Sequence, residues 1–406
     1  MSATLQQIPD GGVTSPNGFH AGTAQAGIKD GLLEKKDVAL LYSEVPAAVA
    51  AVYTTNLVKA APLVVTKESL ATGRCQAVVV NSGNANACTG TQGAADAAEM
   101  QALAAESLGV AKDLVAVAST GVIGVTLPMD RVKKGILTAA ETLTATGSDF
   151  AEAIMTTDLV KKQAAVTIDI GGTVVTVGGV AKGSGMIHPN MATMLAFITT
   201  DAAVEQSALQ QALCEITSRT FNRITVDGDT STNDMALLLA NGLAGNDPLR
   251  EHHPDWPVFV QAVESVALHL AKTMARDGEG ATRLIEVTVT GALHEADAEK
   301  AAKAVVGSSL VKTAVFGADA NWGRVMMALG RSGAQVDATK VDIWIGGVQV
   351  AERGLGLPFD EMAAKRELEQ DPVVIRANLN IGEGAVTAYG CDLTYEYVKI
   401  NGSYRT

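Results

Sequence analysis

Short apolar runs rich in valine and isoleucine alternate with Ala-rich or amphipathic stretches of helical period, and no other feature of the chain limits its fold as tightly. Residues 76–81 read as a strand, 94–108 as a helix closed by Gly109, and 114–118 as a second strand. Helices are expected over 130–143 and 149–155. Residues 164–170 and 173–177 alternate at period two around Gly171-Gly172, the signature of a hairpin. The second half has the same texture. Strands are expected at 195–199, 284–289 and 311–316, and helices at 203–219, 257–274, 296–305 and 322–329. A second hairpin is expected over 341–345 and 348–351 about Gly346-Gly347, and a final strand pair at 372–379 and 383–389. Elements joined by hairpins as well as helices predict α+β layers rather than a regular parallel βαβ array.

Charge and cysteine content narrow the function classes. The formal net charge is −13 with no basic run. That excludes sequence-independent nucleic-acid binding and an anionic membrane surface, both of which need clustered Lys and Arg. No stretch of 18 apolar residues lacks charge, so no membrane span is expected. The first ten residues carry no apolar core of a signal peptide. Cys75, Cys88, Cys214 and Cys391 form no C-x-x-C pair. They are expected to be buried small residues in a cytoplasmic protein, not disulfides or metal ligands.

Familiar catalytic patterns fail. Lys182-Gly183-Ser184 lacks the order of a phosphate loop, and no H-E-x-x-H or G-x-S-x-G occurs. The oxygen-rich run 227–234 is not a calcium loop, because Thr232 stands where glycine is needed and Leu238 at the twelfth position; it reads as a polar turn. Among the histidines only His188 sits in a loop of small and polar residues, 181–193.

That loop changes the reading. The run from Lys182 to Leu195, KGSGMIHPNMATML, resembles the processing site of the ornithine acetyltransferase family, the bifunctional glutamate N-acetyltransferases of arginine biosynthesis. Further segments resemble the family in the same order: 81–88, 119–124, 156–158, 221–222, 227–234, 317–324 and 401–406. The resemblance implies an α/β layered sandwich built jointly by two fragments, residues 1–192 and 193–406, after self-cleavage between Ala192 and Thr193. Thr193 would then be the nucleophile that carries the acetyl group. Its freed α-amine, a group that ordinarily titrates at about 7.7–8.0, would serve as base on its own hydroxyl. Thr120 and Gly121 match the family's oxyanion-stabilising pair. Substrate contacts implied by similarity are Thr156, Lys182, Thr193, Glu279, Asn401 and Thr406, with Thr157 an alternative to Thr156.

Read without the resemblance, Thr193 is a hydroxyl at the start of a strand, and Lys182 and Glu279 are solvated charges. The function implied is acetyl transfer from N2-acetyl-L-ornithine to L-glutamate by a ping-pong route. No cofactor or metal is called for, and acetyl-CoA stays open as a co-substrate. Assembly is expected as a heterotetramer of two copies of each fragment. Two other readings remain: a related N-terminal-nucleophile amidase or aminopeptidase, and a non-catalytic amino-acid-binding paralogue. Residues 246–256, with extra Pro and His, match no family motif and are expected to lengthen a surface loop.

Overall fold

A computed structural model describes residues 5–29, 35–188 and 194–403. The described residues form two mixed sheets with helices between and around them. The spine of the larger, nine-stranded sheet runs Gln6–Gln7, Lys162–Ile170, Thr173–Lys182, Leu195–Thr200, Met235–Ala240, Val38–Tyr53, Arg74–Asn84 and Val115–Val122; Phe19–Ala24 pairs with Val38–Tyr53. The seven-stranded sheet runs Leu355–Gly356, Val348–Glu352, Asp342–Ile345, Val373–Asn378, Leu284–Ala292, Gly384–Cys391 and Ile224–Thr225. This is the expected α+β layering.

The centre of the larger sheet is buried on both faces, which explains why its strands are apolar throughout. Ala196, Ile198, Ala236 and Leu238 pack with Leu209, Leu213, Val263 and Leu270 of helices Gln206–Arg219 and Trp256–Arg276. The alternate residues Leu195, Phe197, Leu237 and Leu239 pack with Leu41, Val78 and Phe150. Segments from either side of position 192 therefore interleave. Leu195–Thr200 pairs with Thr173–Lys182, and Met235–Ala240 with Val38–Tyr53, so neither half can complete this core alone.

Several expectations need correction. Residues 311–316 are not a strand but lie in helix Ser309–Phe316. Ser308 caps it, accepting from Val311 N at 3.4 Å, and Val311, Lys312, Ala314 and Val315 bury one helical face. A short apolar run does not by itself separate strand from helix. The last two long strands do not pair with each other: Leu284–Ala292 lies between Val373–Asn378 and Gly384–Cys391. The strand read at 114–118 continues to Val122, so Thr120 and Gly121 sit on a strand end, not in the loop after it. Residues 246–256 are not merely a lengthened surface loop. Asn246 and Leu249 are buried, and Leu249 bridges to Val204.

The cysteine reading also divides. Cys75 and Cys391 are buried and Cys214 partly so, whereas Cys88 is exposed. Burial pushes the Cys75 thiol up to about 12 and raises Cys391 as well. In a thiol titration of native protein with an aromatic disulfide, Cys88 is expected to react first. Cys75 and Cys391 should react only after denaturant is added. Rapid labelling of either in the native state would contradict this packing. Among the described residues, no helix is long and apolar enough to cross a membrane.

Candidate active site

Strand ends, loops and a helix from distant parts of the chain converge on one cavity of about 240 Å³. Thr120 and Gly121 reach it from the end of Val115–Val122, and Thr156 and Thr157 from the loop after helix Ser148–Ala153. Lys182 closes Thr173–Lys182, and Met194 leads into Leu195–Thr200. Glu279 follows helix Trp256–Arg276, and Asn401 lies on the last helix, Tyr395–Ser403. Ala192, Thr193 and Thr406 lie outside the described residues.

Lys182 organises one side of the cavity. Its Nζ donates to Thr156 Oγ1 at 3.0 Å and to Thr120 Oγ1 at 3.2 Å. An ammonium has no lone pair, so both hydroxyls accept from it and keep their own protons to donate. Thr120 is thereby held as a donor, which is what a developing oxyanion needs. Gly121 is required by space as well as conformation. Its φ is 134°, and a Cβ there would stand 2.3 Å from the Gly83 carbonyl carbon on the neighbouring strand.

Burial pushes the Lys182 ammonium below its ordinary value. Asp158 opposes that shift and Lys162 adds to it. Burial pushes the Asp158 carboxyl up, but the Lys182 and Lys162 charges outweigh it and hold Asp158 well below the usual carboxylate range. With 8% exposure each, Lys182 and Glu279 are not the solvated charges that the chain read without its resemblance gives.

Glu279 lines the same cavity. Its Oε2 accepts from Asn401 Nδ2 at 2.8 Å. Its carboxyl carbon lies 2.4 Å from where a Cβ on Gly185 would stand, so a side chain there would displace the carboxylate from its place in the cavity. Asn401 brings the final helix into the cavity, against the usual fraying of a chain end.

Local sequence assigns no role to several lining residues. Asp227, Asp229, Ser231, Asn233 and Asp234 line the cavity, as does Tyr397. Asp227 accepts from Met186 N at 2.6 Å and Ile187 N at 2.9 Å, which shapes the loop leading toward position 193. Burial raises Asp234 well above its ordinary value, and its Oδ2 has no partner among the described residues. The density of oxygen side chains in 227–234 is the available signal; it builds a wall of the cavity as well as a turn. His188 does not line this cavity. It faces a separate one with Lys300 and Lys303, and its Nδ1 lies 3.0 Å from Thr225 Oγ1. Among the described residues, no group of His, Cys, Asp and Glu could hold a metal ion.

Comparison with known proteins agrees with this architecture. The ArgJ family model matches residues 20–406. The arginine biosynthesis bifunctional protein ArgJ of Symbiobacterium thermophilum is 63% identical over 397 residues, covering 98% of this chain and 99% of its own. The Bacillus licheniformis protein of the same name is 56% identical over 398 residues, covering 98% and 97%. The crystal structure of ArgJ from Bacillus halodurans superposes with a TM-score of 0.52 at 54% identity, covering 52% of this chain and all of that one. A match across nearly the whole length places the chain in the ArgJ family, the bifunctional acetyltransferases of arginine biosynthesis.

Proposed function

We propose that the chain moves an acetyl group from N2-acetyl-L-ornithine to L-glutamate through an acetyl ester on Thr193, after self-cleavage between Ala192 and Thr193. One observation carries this reading. Met194, bonded in sequence to Thr193, lines the same cavity as the Lys182–Thr120–Thr156 group and the Glu279–Asn401 pair.

In cleavage, the Thr193 hydroxyl attacks the Ala192 carbonyl and the peptide nitrogen leaves as the Thr193 amine. Water then hydrolyses the resulting ester. In transfer, the amine takes the Thr193 hydroxyl proton as the oxygen attacks the acetyl carbonyl. Thr120 Oγ1–H and the Gly121 backbone N–H stabilise the oxyanion. The carbon–nitrogen bond breaks, the held proton passes to the leaving amine, and ornithine departs. The α-amine of glutamate, in neutral form, then attacks the ester. Its proton is taken by the Thr193 amine and returned to the Thr193 oxygen as that oxygen leaves.

Lys182 holds the substrate α-carboxylate, and Thr156 lends it a second donor. Glu279, with Asn401 beside it, receives the side-chain amino group of ornithine, and Thr406 adds a hydrogen bond to substrate. Residues 1–192 and 193–406 stay associated through the shared sheet and assemble as two copies of each in the cytoplasm. No resident cofactor enters, and acetyl-CoA is a second donor the same nucleophile would accept.

The test is product analysis with acetyl-labelled N2-acetyl-L-ornithine, with and without L-glutamate. The expected result is labelled N-acetylglutamate formed one for one with ornithine. Free acetate at the same rate without glutamate would replace this reading with hydrolysis. Tight glutamate binding by an uncut, inactive chain would replace it with the binding paralogue.

A further inference from the structure

Behind the cavity lies a fully buried lysine that the mechanism above does not use. Lys162 is 0% exposed and does not line the cavity. Its Nζ lies 2.7 Å from Asp158 Oδ1 and 2.6 Å from Asp277 Oδ2. A third contact, at 3.3 Å, goes to the Val160 carbonyl.

Both carboxylates are also tied to the backbone that carries the cavity side chains. Asp158 accepts from Thr156 N at 2.9 Å and from Gly183 N at 2.6 Å. Asp277 Oδ2 accepts from Leu159 N at 3.0 Å, and its carbonyl accepts from Ser184 Oγ at 2.7 Å. Glu279 N in turn donates to Ser184 O at 3.0 Å. One ammonium thus joins the segments bearing Thr156, Lys182 and Glu279, which come from distant parts of the sequence.

Stability alone does not account for this arrangement. Buried ion pairs spend most of their attraction on desolvation, and apolar residues of similar volume often serve as well. We propose that Lys162 is a positioning residue for acetyl transfer: through Asp158 and Asp277 it fixes the three substrate-binding segments in register and sets the charge balance around Lys182. The inference rests on the substrate role of Lys182 given above. Asp158, Lys162, Asp234 and Glu279 are the charged groups that act on Lys182, and Lys35 senses both Asp158 and Lys182. Lys162 pushes the Lys182 ammonium down, so removing its charge lets Lys182 stay protonated to higher pH.

Two variants test this. Lys162→Met removes the ammonium, and Lys162→Met/Asp277→Asn removes one charge of each sign so that the interior stays balanced. Transfer kinetics are read against pH for whichever folds, beside wild type and Lys182→Met. The expected result is a loss of kcat/KM of about 10²-fold, carried mainly by KM. The alkaline limb should move to higher pH. Lys182→Met should lack that limb; a limb unchanged in Lys182→Met would remove the assumed role of Lys182 and leave its neighbours unaddressed by this mechanism, overturning the inference at its root. A folded Lys162 variant with wild-type KM and a superposable pH profile would overturn the inference alone. Failure of both variants to fold would make Lys162 a stability residue and overturn it equally.

Discussion

Thr193→Ala is expected to remain one uncut chain of 406 residues and to lose acetyl transfer by about 10⁴-fold or more. The same alanine removes two things the proposed chemistry needs. Without the hydroxyl, no ester forms at Ala192, so the chain is not cut. Without the cut, no free α-amine appears to act as base, and there is no oxygen to carry the acetyl group. Intact-mass and N-terminal analysis of wild type and variant, side by side, checks the first effect. Wild type should give fragments 1–192 and 193–406, the second beginning at Thr193. A variant cut at the same bond, or an uncut variant with full activity, would remove Thr193 from the mechanism. The pH dependence follows from the same group. The amine works only when neutral, so activity should fall as pH drops below about 7.7–8.0, where a free α-amine ordinarily titrates.

The second large effect is expected at Thr120. Thr120→Val keeps the shape and removes one hydroxyl. Turnover should fall by about 10²–10³-fold with KM nearly unchanged, because an oxyanion donor acts chiefly in the transition state. The Lys182 contact makes this a sharper expectation than for an ordinary threonine. The ammonium 3.2 Å away occupies a lone pair of Thr120 Oγ1 and leaves its proton to donate elsewhere. Lys182 retains Thr156 Oγ1 at 3.0 Å, so the fold should survive the change. Steady-state kinetics beside a thermal melt separate the two. A variant that loses affinity and stability together, with turnover intact, would make Thr120 a support for Lys182 and not a donor to substrate.

Many local elements could be read from the sequence alone, and the family resemblance supplied the proposal that Thr193 is the nucleophile. The hairpin about Gly171-Gly172 could be read because alternation at period two and paired glycines are local signals. Helix Gly90–Leu108 could be read because Gly109 closes it in the left-handed region. The sixteen-residue strand Val38–Tyr53 has no clear local signal because Pro46 interrupts it, and proline ordinarily ends a strand. The fold absorbs Pro46 where the register with Arg74–Asn84 jumps between Tyr42 and Ala47. Met235–Ala240 lacks a local signal for the opposite reason: apolar on both faces, it shows no alternation.

Only the tertiary structure decided the electrostatics of the cavity. Lys162 stands 115 residues from Asp277, and Asp227 stands 41 from Met186. Nothing local couples such residues. Whether a lysine is a solvated charge or a buried cation shared by two carboxylates depends on which chains surround it. That is fixed only when the sheet interleaves the segments on either side of position 192.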